Sequence, residues 1–354
     1  MDSILRDLEL VIDPEPLDEG GLKIYTTIDG ELQKAAEASV SKRLAQVEGS
    51  PNFTHKPYKS YTSIDAREDG TPYLQGAAIA LDNRSGGIRA IVGGRDFQQS
   101  RFNRALLGRR QIGSAVKPFV YAKAFEKGLR PGDPIDDNRL HPGELPRAYG
   151  PYNPNNSDNT YRGIMPASEG LVLSRNTMTV RIGLRAGFDK IADTIKLAGI
   201  ASDPPRYPAI CLGAFEASLK DLTAGYTIFA TGGTKLQPYL IEKIVDADGN
   251  LLFRATHGQI PVLPPGPTAM TTSIMEDVLT RGTGAKSRQY GLRHRAYGKT
   301  GTTNEYQDAW FIGFDNKLTT GVWVGFDRPI KIMSGGTGGE LALPIWVDLM
   351  EAGR

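Results

Sequence analysis

Two hydrophobic periods alternate along the chain, and the places where they switch divide it into elements. A β-rich run over 22–28 is followed by Leu32, Ala36, Val40, Leu44 and Val47 at helical spacing. Side chains three and four apart share a helix face, so this spacing predicts a strand and then an amphipathic helix from about Glu31. Residues 48–74 are polar and rich in Pro, Ser and Tyr, and read as a linker or irregular segment. Period-two alternation takes over in GAAIALDNRSGGIRAIVGG, two runs around Ser85-Gly86-Gly87, which predicts a hairpin. A helix is expected to start near Ser114. GPYNPNNSDNTYRG is turn chemistry, and helical spacing dominates 166–200 and 216–230. YLIEKIVDADGNLLFRA predicts a second hairpin with Asp248-Gly249 at its tip. AYGKTGT, DAWFIGF and TTGVWVGF then predict an antiparallel meander, and LALPIWVDLMEAG a closing helix. This order implies an α+β fold: one antiparallel sheet flanked by helices, with an all-helical lobe inserted between its strands.

Composition narrows the picture. The 354 residues are 40% hydrophobic, enough for a large core in two domains or in one with an appendage. A net charge of +2 supplies no electrostatic reason for a nucleic-acid partner. No apolar run reaches the roughly 18 residues of a membrane span, and MDSILRDLELVIDPEP has no apolar signal core. Cys211 is the sole cysteine, so an internal disulfide is excluded. His55, His141, His257 and His294 are scattered without ligand spacing, so neither a metal nor a cofactor is expected.

Candidate chemistry starts at IGSAVKPF. Positions i and i+3 of a helix share a face, so Ser114 and Lys117 bring a hydroxyl within reach of an amine. The amine can take the hydroxyl proton if burial or a second cation lowers its pKa. Gly113 permits a close backbone approach or an unusual turn. Pro118 is tolerable only near a helix start, which places Ser114 in the first turn or at the cap. A plain N-cap serine fits this stretch equally well. Ser39 and Lys42 repeat the Ser-x-x-Lys spacing, but they lie mid-helix outside the apolar stripe, and Lys42 reads as a solvated lysine.

An acyl transfer at Ser114 needs a proton relay and an amide that binds substrate. Ser174 and Asn176 offer both, inside an apolar, helix-compatible run where polar residues need partners. Ser157-Asp158-Asn159 offers the same pattern, but in a turn-rich loop where local backbone bonding explains it. In YGKTGTT, strand alternation sends Lys299 and Gly301 one way and Thr300 and Thr302 the other. Gly301 facing the serine helix would allow close packing, and Lys299 would add positive charge. A solvated edge strand is the competing reading. RGTGAKS lacks the glycine spacing of a phosphate loop, and SGGTGG lacks its lysine.

Taken in one order, Ser114/Lys117, Ser174/Asn176 and Lys299/Thr300/Gly301 resemble the penicillin-binding and serine β-lactamase superfamily. GLKIYTTIDGELQKAAEASV, RFNRA, GSAVKPFVYA, DNTYRG, GTGAK, GKTGTTNEYQDAWFIGF and TGGELALPIW narrow the resemblance to class A penicillin-binding proteins, over about residues 20–350. Ile112 stands where that family often has proline, Val116 where it often has an aromatic, and Gly170 where it often has a helix former. The resemblance implies a β-lactamase/DD-peptidase-like fold, with residues 1–74 an inter-domain linker segment and 75–354 the transpeptidase domain. It implies a membrane anchor and a glycosyltransferase domain upstream, and an extracytoplasmic location, in the periplasm or on the outer face of the membrane.

The activity it implies is peptidoglycan DD-transpeptidation through a serine acyl-enzyme. Ser114 would be the nucleophile, Lys117 its base and Lys299 the neighbouring cation. Ser174 would relay the proton, and Asn176 would hold the donor amide. Thr300 and Thr302, beside Gly301, would bind the terminal carboxylate, and the N–H groups of Ser114 and Thr302 would form the oxyanion hole. Implied partners are donor and acceptor stem peptides, β-lactam antibiotics and cell-wall synthesis regulators. A DD-carboxypeptidase or endopeptidase, and a β-lactam receptor without turnover, are the alternatives. A β-lactamase would need a deacylating base, and Glu169 is the nearest acid to the Ser-x-Asn segment.

Overall fold

A five-stranded antiparallel sheet, assembled from both ends of the chain, organises the computed structural model, which describes residues 4, 7, 8, 11, 12, 20–61 and 70–354. Most of 1–19, and 62–69 of the expected linker, lie outside the described residues. Strand β1 (Lys23–Thr26) and helix α1 (Gly30–Glu48) precede the hairpin β2 (Gln75–Asp82) and β3 (Ile88–Val92). The inserted lobe runs through β4 (Arg109–Gln111), α2 (Lys117–Glu126), β5 (Pro134–Asp136), β6 (Ile164–Pro166), α3 (Ala167–Val172), α4 (Asn176–Ala186) and α5 (Phe188–Leu197). Next come β7 (Glu216–Ser218), α6 (Leu219–Ala230), β8 (Thr234–Leu236), β9 (Ile241–Val245), β10 (Leu251–Arg254), β11 (Gln259–Pro261) and α7 (Pro265–Thr280). The meander β12 (Tyr297–Thr302), β13 (Asp308–Phe314) and β14 (Leu318–Gly325) leads to α8 (Gly338–Leu341) and α9 (Leu343–Ala352).

The sheet order is β12-β13-β14-β2-β3. Leu318 pairs with Asp82 and Gly325 with Gln75, so the first hairpin and the last meander join into the expected single sheet. Both sheet faces are covered, which explains why DAWFIGF carries no solvent-facing alternate positions. Trp310, Ile312 and Phe314 enter a core shared with Phe119, Tyr226 and Met178 of the lobe. Ala309, Phe311, Val322 and Val324 enter a second core with Leu32, Val40 and Leu44 of α1 and Leu343 and Trp346 of α9.

Helix α1 starts because Asp29 caps it: its Oδ1 accepts from the N–H groups of Glu31 and Leu32, both at 3.1 Å. Such a cap is worth about 1 kcal/mol over alanine. The expected stripe is buried at Leu32, Ala36, Val40 and Leu44. Ser39, however, is buried too and donates to Asp348 Oδ2 at 2.7 Å, while Arg43 clamps the same carboxylate. The reason is that α9 covers a second flank of α1, which the stripe alone does not reveal. Lys42 is exposed, as its position implies.

Helix α7 has no counterpart in the sequence reading. Two prolines open it, and Thr268 and Thr271 occupy buried positions ahead of Ile274, Met275, Val278 and Leu279. Each threonine satisfies its hydroxyl on the carbonyl four residues back, Pro264 and Pro267, so a polar-looking stretch is buried without an unpaired group.

Candidate active site

The serine turn is pinned from three sides. Strand β4 pairs with β7, and Trp310 Nε1 of β13 donates to Gln111 O at 2.9 Å. Tyr226 of α6 donates its hydroxyl to Ala115 O at 2.6 Å, and Gly113 N donates to Gly213 O at 3.3 Å. The expected helix begins as a 3-10 turn over Gly113–Val116 and becomes α-helical only at Lys117, with Pro118 in the first turn. Ser114 lies in that turn and is half-buried. Among the described residues no hydrogen bond ends on its Oγ, so the hydroxyl is open while its backbone is fixed. No capping hydrogen bond from a side chain starts either the turn or α2, which sets the N-cap reading of Ser114 aside.

Lys117 is fully buried, and none of its hydrogen-bond partners is a carboxylate. Its Nζ meets Ser174 O at 2.6 Å, Asn176 Oδ1 at 2.7 Å and Ser174 Oγ at 3.2 Å. Burial, then the cations Lys299 and Arg175, hold its pKa well below the ordinary lysine value. Lys299 is buried as well, and burial pushes its pKa down to about 7. Its Nζ lies 2.9 Å from Ser174 Oγ, so that one hydroxyl bridges the two amines. Two buried amines that share one hydroxyl disfavour being charged together, and both are held below the ordinary lysine value.

The Ser-x-Asn segment departs from expectation in backbone. The run containing Ser174 is not continuous helix: α3 ends at Val172, and Ser174 takes φ +57° before α4 begins at Asn176. This break turns both the carbonyl and the hydroxyl of Ser174 onto Lys117. Asn176 donates from Nδ2 to Asn155 O at 2.8 Å, so the turn-rich loop buttresses it.

Strand β12 is the sheet edge facing the lobe, so alternate backbone groups along it have no ladder partner. A Cβ added at Gly301 would lie 2.8 Å from Ile112 O, 2.9 Å from Trp310 Cβ and 3.2 Å from Ala115 Cβ, so only glycine lets the strand close on the serine turn. Gly113 meets it from the other side. It has φ +54°, and a Cβ there would lie 2.6 Å from Thr302 O. Thr300 Oγ1 lies 2.7 Å from Thr283 Oγ1, and Thr302 Oγ1 accepts from Gly338 N at 3.1 Å.

Ser114, Lys117, Ser174, Asn176, Lys299, Thr300, Gly301 and Thr302 thus converge. Ser39 packs elsewhere, against α9, and Lys42 is exposed. Ser157 and Asn159 stay exposed on their loop, and Glu169 is tied by both carboxylate oxygens to Arg281, at 2.7 and 2.9 Å. The reading missed two neighbours of the site. Thr283 belongs to RGTGAKS, set aside as a phosphate loop, and to GTGAK, which carries part of the family resemblance but was given no site role. Asn156 Oδ1 accepts from the N–H groups of Asn176 at 2.7 Å and Thr177 at 3.3 Å, capping α4 from twenty residues away. Asn156 carries no local signal beyond turn chemistry. A separate cleft of about 750 Å³ opens between α1, β3 and the loop 93–103 and contains none of these residues.

The chain is similar to known proteins over most of its length. Residues 76–328 match a family model described as the penicillin binding protein transpeptidase domain. Penicillin-binding protein 1A of Neisseria lactamica is 37% identical over 286 residues, covering 79% of this chain and 36% of the relative, so the chain spans about a third of that protein's length. Penicillin-binding protein 1A from Haemophilus influenzae shares the fold at TM-score 0.81 and 24% identity, over 94% of this chain and 66% of that one. The PonA1 protein from Mycobacterium tuberculosis, solved in complex with penicillin V, superposes at TM-score 0.77 and 27% identity, over 98% of this chain and 90% of that one.

Proposed function

The chain belongs to the penicillin-binding protein transpeptidase family, and from that premise we propose that it is a serine DD-transpeptidase that cross-links peptidoglycan stem peptides and is acylated by β-lactams. The observation that carries this is the meeting of three distant segments on one point: Ser174 Oγ lies 3.2 Å from Lys117 Nζ and 2.9 Å from Lys299 Nζ, and Lys117 opens the helix that follows the Ser114 turn.

In this reading the donor peptide lies along the free edge of β12, an arrangement an unpaired strand favours. Lys299, Thr300 and Thr302 receive its terminal carboxylate, and Asn176 orients its amide. Ser114 Oγ attacks the carbonyl carbon between the two terminal D-alanines, and its proton passes to neutral Lys117. The negative oxygen forms between the N–H groups of Ser114 and Thr302, where one such donor is typically worth about 3–4 kcal/mol of barrier. The C–N bond breaks as the proton moves from Lys117 through Ser174 Oγ to the departing amine. An amine of a neighbouring stem then attacks the acyl-enzyme, and its proton returns along the same relay. A β-lactam enters the same path when Ser114 opens its ring amide, in keeping with the penicillin V complex of the similar PonA1 protein.

The same reading takes residues 75–354 as the catalytic domain and 1–74 as a connecting segment. It places a glycosyltransferase domain and membrane anchor upstream, with the enzyme acting outside the cytoplasm alongside cell-wall synthesis regulators. The test supplies lipid-linked precursor polymerised in the same tube and measures cross-linked product against released D-alanine. Cross-links are expected. Released D-alanine without cross-links would make the chain a carboxypeptidase, and stable acylation without either product would make it a receptor.

A further inference from the structure

The residue between Ser174 and Asn176 is not a spacer. Ser174 holds φ +57°, which costs an L-residue about 1–2 kcal/mol, and the site depends on that turn. The side chain of Arg175, 2% exposed, reaches a carboxylate that is entirely buried, Asp137. Arg175 Nε lies 3.1 and 3.0 Å from the two Asp137 oxygens, and Nη2 lies 2.9 Å from Oδ2. Nη1 donates to Asp158 Oδ2 at 2.8 Å, and Nη2 donates to Thr160 O.

Asp137 gathers the rest of the neighbourhood. It accepts from Asn156 Nδ2 at 2.9 Å, Thr177 Oγ1 at 2.9 Å and Arg162 N at 3.0 Å. Asn156 in turn caps α4 through the N–H of Asn176. The end of β5, the loop after residue 150, the Ser174 turn and the start of α4 are therefore tied to one carboxylate.

We infer that Arg175 and Asp137 are positioning residues for acyl transfer: their buried pair holds Ser174 and Asn176 against Lys117 and sets the balance of charge that Lys117 meets. The inference rests on the catalytic reading of Ser114 and Lys117. The charged and titratable groups acting on Lys117 are Lys299 from β12, Arg175 and Asp137 from the lobe, and Cys211 from the turn before β7. Lys299 and Arg175 drive its proton off, whereas Asp137 favours keeping it, and burial pushes the Cys211 thiol up so that it stays uncharged. Removing the two members of the pair must therefore move Lys117 in opposite directions.

The experiment measures the rate of acylation by a fluorescent penicillin against pH for the wild type and for Arg175→Gln, Asp137→Asn and Arg175→Lys, with thermal unfolding of each. Arg175→Gln leaves Asp137 without its cation and should shift the acid limb upward by about one pH unit, a tenfold loss on the acid side. Asp137→Asn should shift the limb downward while lowering the plateau. Arg175→Lys keeps the charge but loses the planar fork, so the limb should stay while the plateau falls about tenfold or more. Limbs that coincide, or that move the same way with rates tracking stability, would overturn the inference. Should Arg175→Gln or Asp137→Asn fail to fold, Asp158→Asn removes Arg175's outer carboxylate, which is 43% exposed. It should lower the rate in folded protein, and an unchanged rate and profile would count against the pair. Penicillin capture by Ser114→Ala would sink the catalytic reading itself, whereas a silent Ser114→Ala with unshifted limbs in the other variants would sink only this inference.

Discussion

Replacing Gly113 by alanine tests the joint between the serine turn and the edge strand. Gly113 sits at φ +54°, where an L-residue costs about 1–2 kcal/mol. The new Cβ would lie 2.6 Å from Thr302 O and 3.1 Å from Thr302 C, whereas ordinary contact begins at 3.4 Å. Turn and strand must then separate by about 0.8 Å (3.4 minus 2.6). The obstructing atoms are backbone, so no side-chain rotation relieves the contact. Neither partner moves freely: Tyr226 and Trp310 hold the turn, and the ladder to β13 holds the strand. The N–H groups of Ser114 and Thr302 would shift apart by a similar amount, and a misplacement of this order costs about 100-fold in rate. The total destabilisation, about 2–4 kcal/mol, is in the range of a strained backbone site and leaves a folded protein. Stopped-flow acylation by a fluorescent penicillin, with circular dichroism to check folding, measures the effect. A folded Gly113→Ala protein acylating within about threefold of wild type, less than 0.7 kcal/mol of barrier, would refute the argument that this contact aligns the two donors.

Three further outcomes are expected. Arg104 is buried, with Nε and Nη2 each 2.6 Å from Asp327, which also accepts from Thr71 N at 2.7 Å. Arg104→Met leaves that carboxylate unpaired and should cost about 3–5 kcal/mol in urea unfolding, while acylation per folded molecule is unchanged. A buried amine with a lowered folded pKa is neutral above that value and charged below it, so acylation should fall as pH drops through the pKa of Lys117. An acid limb near the free-lysine value of about 10.4 would contradict this. For Lys299, with a folded pKa of about 7, the folded state binds fewer protons than the unfolded state between about pH 7 and 10.4. Its contribution to stability is therefore present above the unfolded value and lost as pH falls through about 7. Comparing the pH dependence of wild-type unfolding with that of Lys299→Met isolates this component, and parallel curves would remove it.

Sequence patterning located the sheet because its strands are long, apolar and bounded by turn residues. DAWFIGF and TTGVWVGF can be buried on both faces only as strands in the middle of a sheet. The two Ser-x-x-Lys candidates were separable because Pro118 forces a helix start at one and solvent claims Lys42 at the other. What could not be read depends on contacts across the chain. Ser39 is polar in sequence yet buried, because Asp348 and Arg43 supply its partners. Helix α7 hides because threonines bonded to their own carbonyls take core positions. The break at Ser174 is invisible because LVLSRNTMTV has helical composition, and what holds the break, Asp137 and Asn156, comes from loops twenty to forty residues earlier. The close approach of β12 was legible only in outline: Gly301 and Gly113 suggested that backbone meets backbone, but not that each faces the other's element.

Peptide mapping by mass spectrometry after penicillin treatment bears most directly on the central claim that one hydroxyl accepts the acyl group. The adduct should sit on the peptide containing Ser114, at one per chain, and should vanish in Ser114→Ala. An adduct on the peptide containing Ser39, or undiminished capture by Ser114→Ala, would contradict the account.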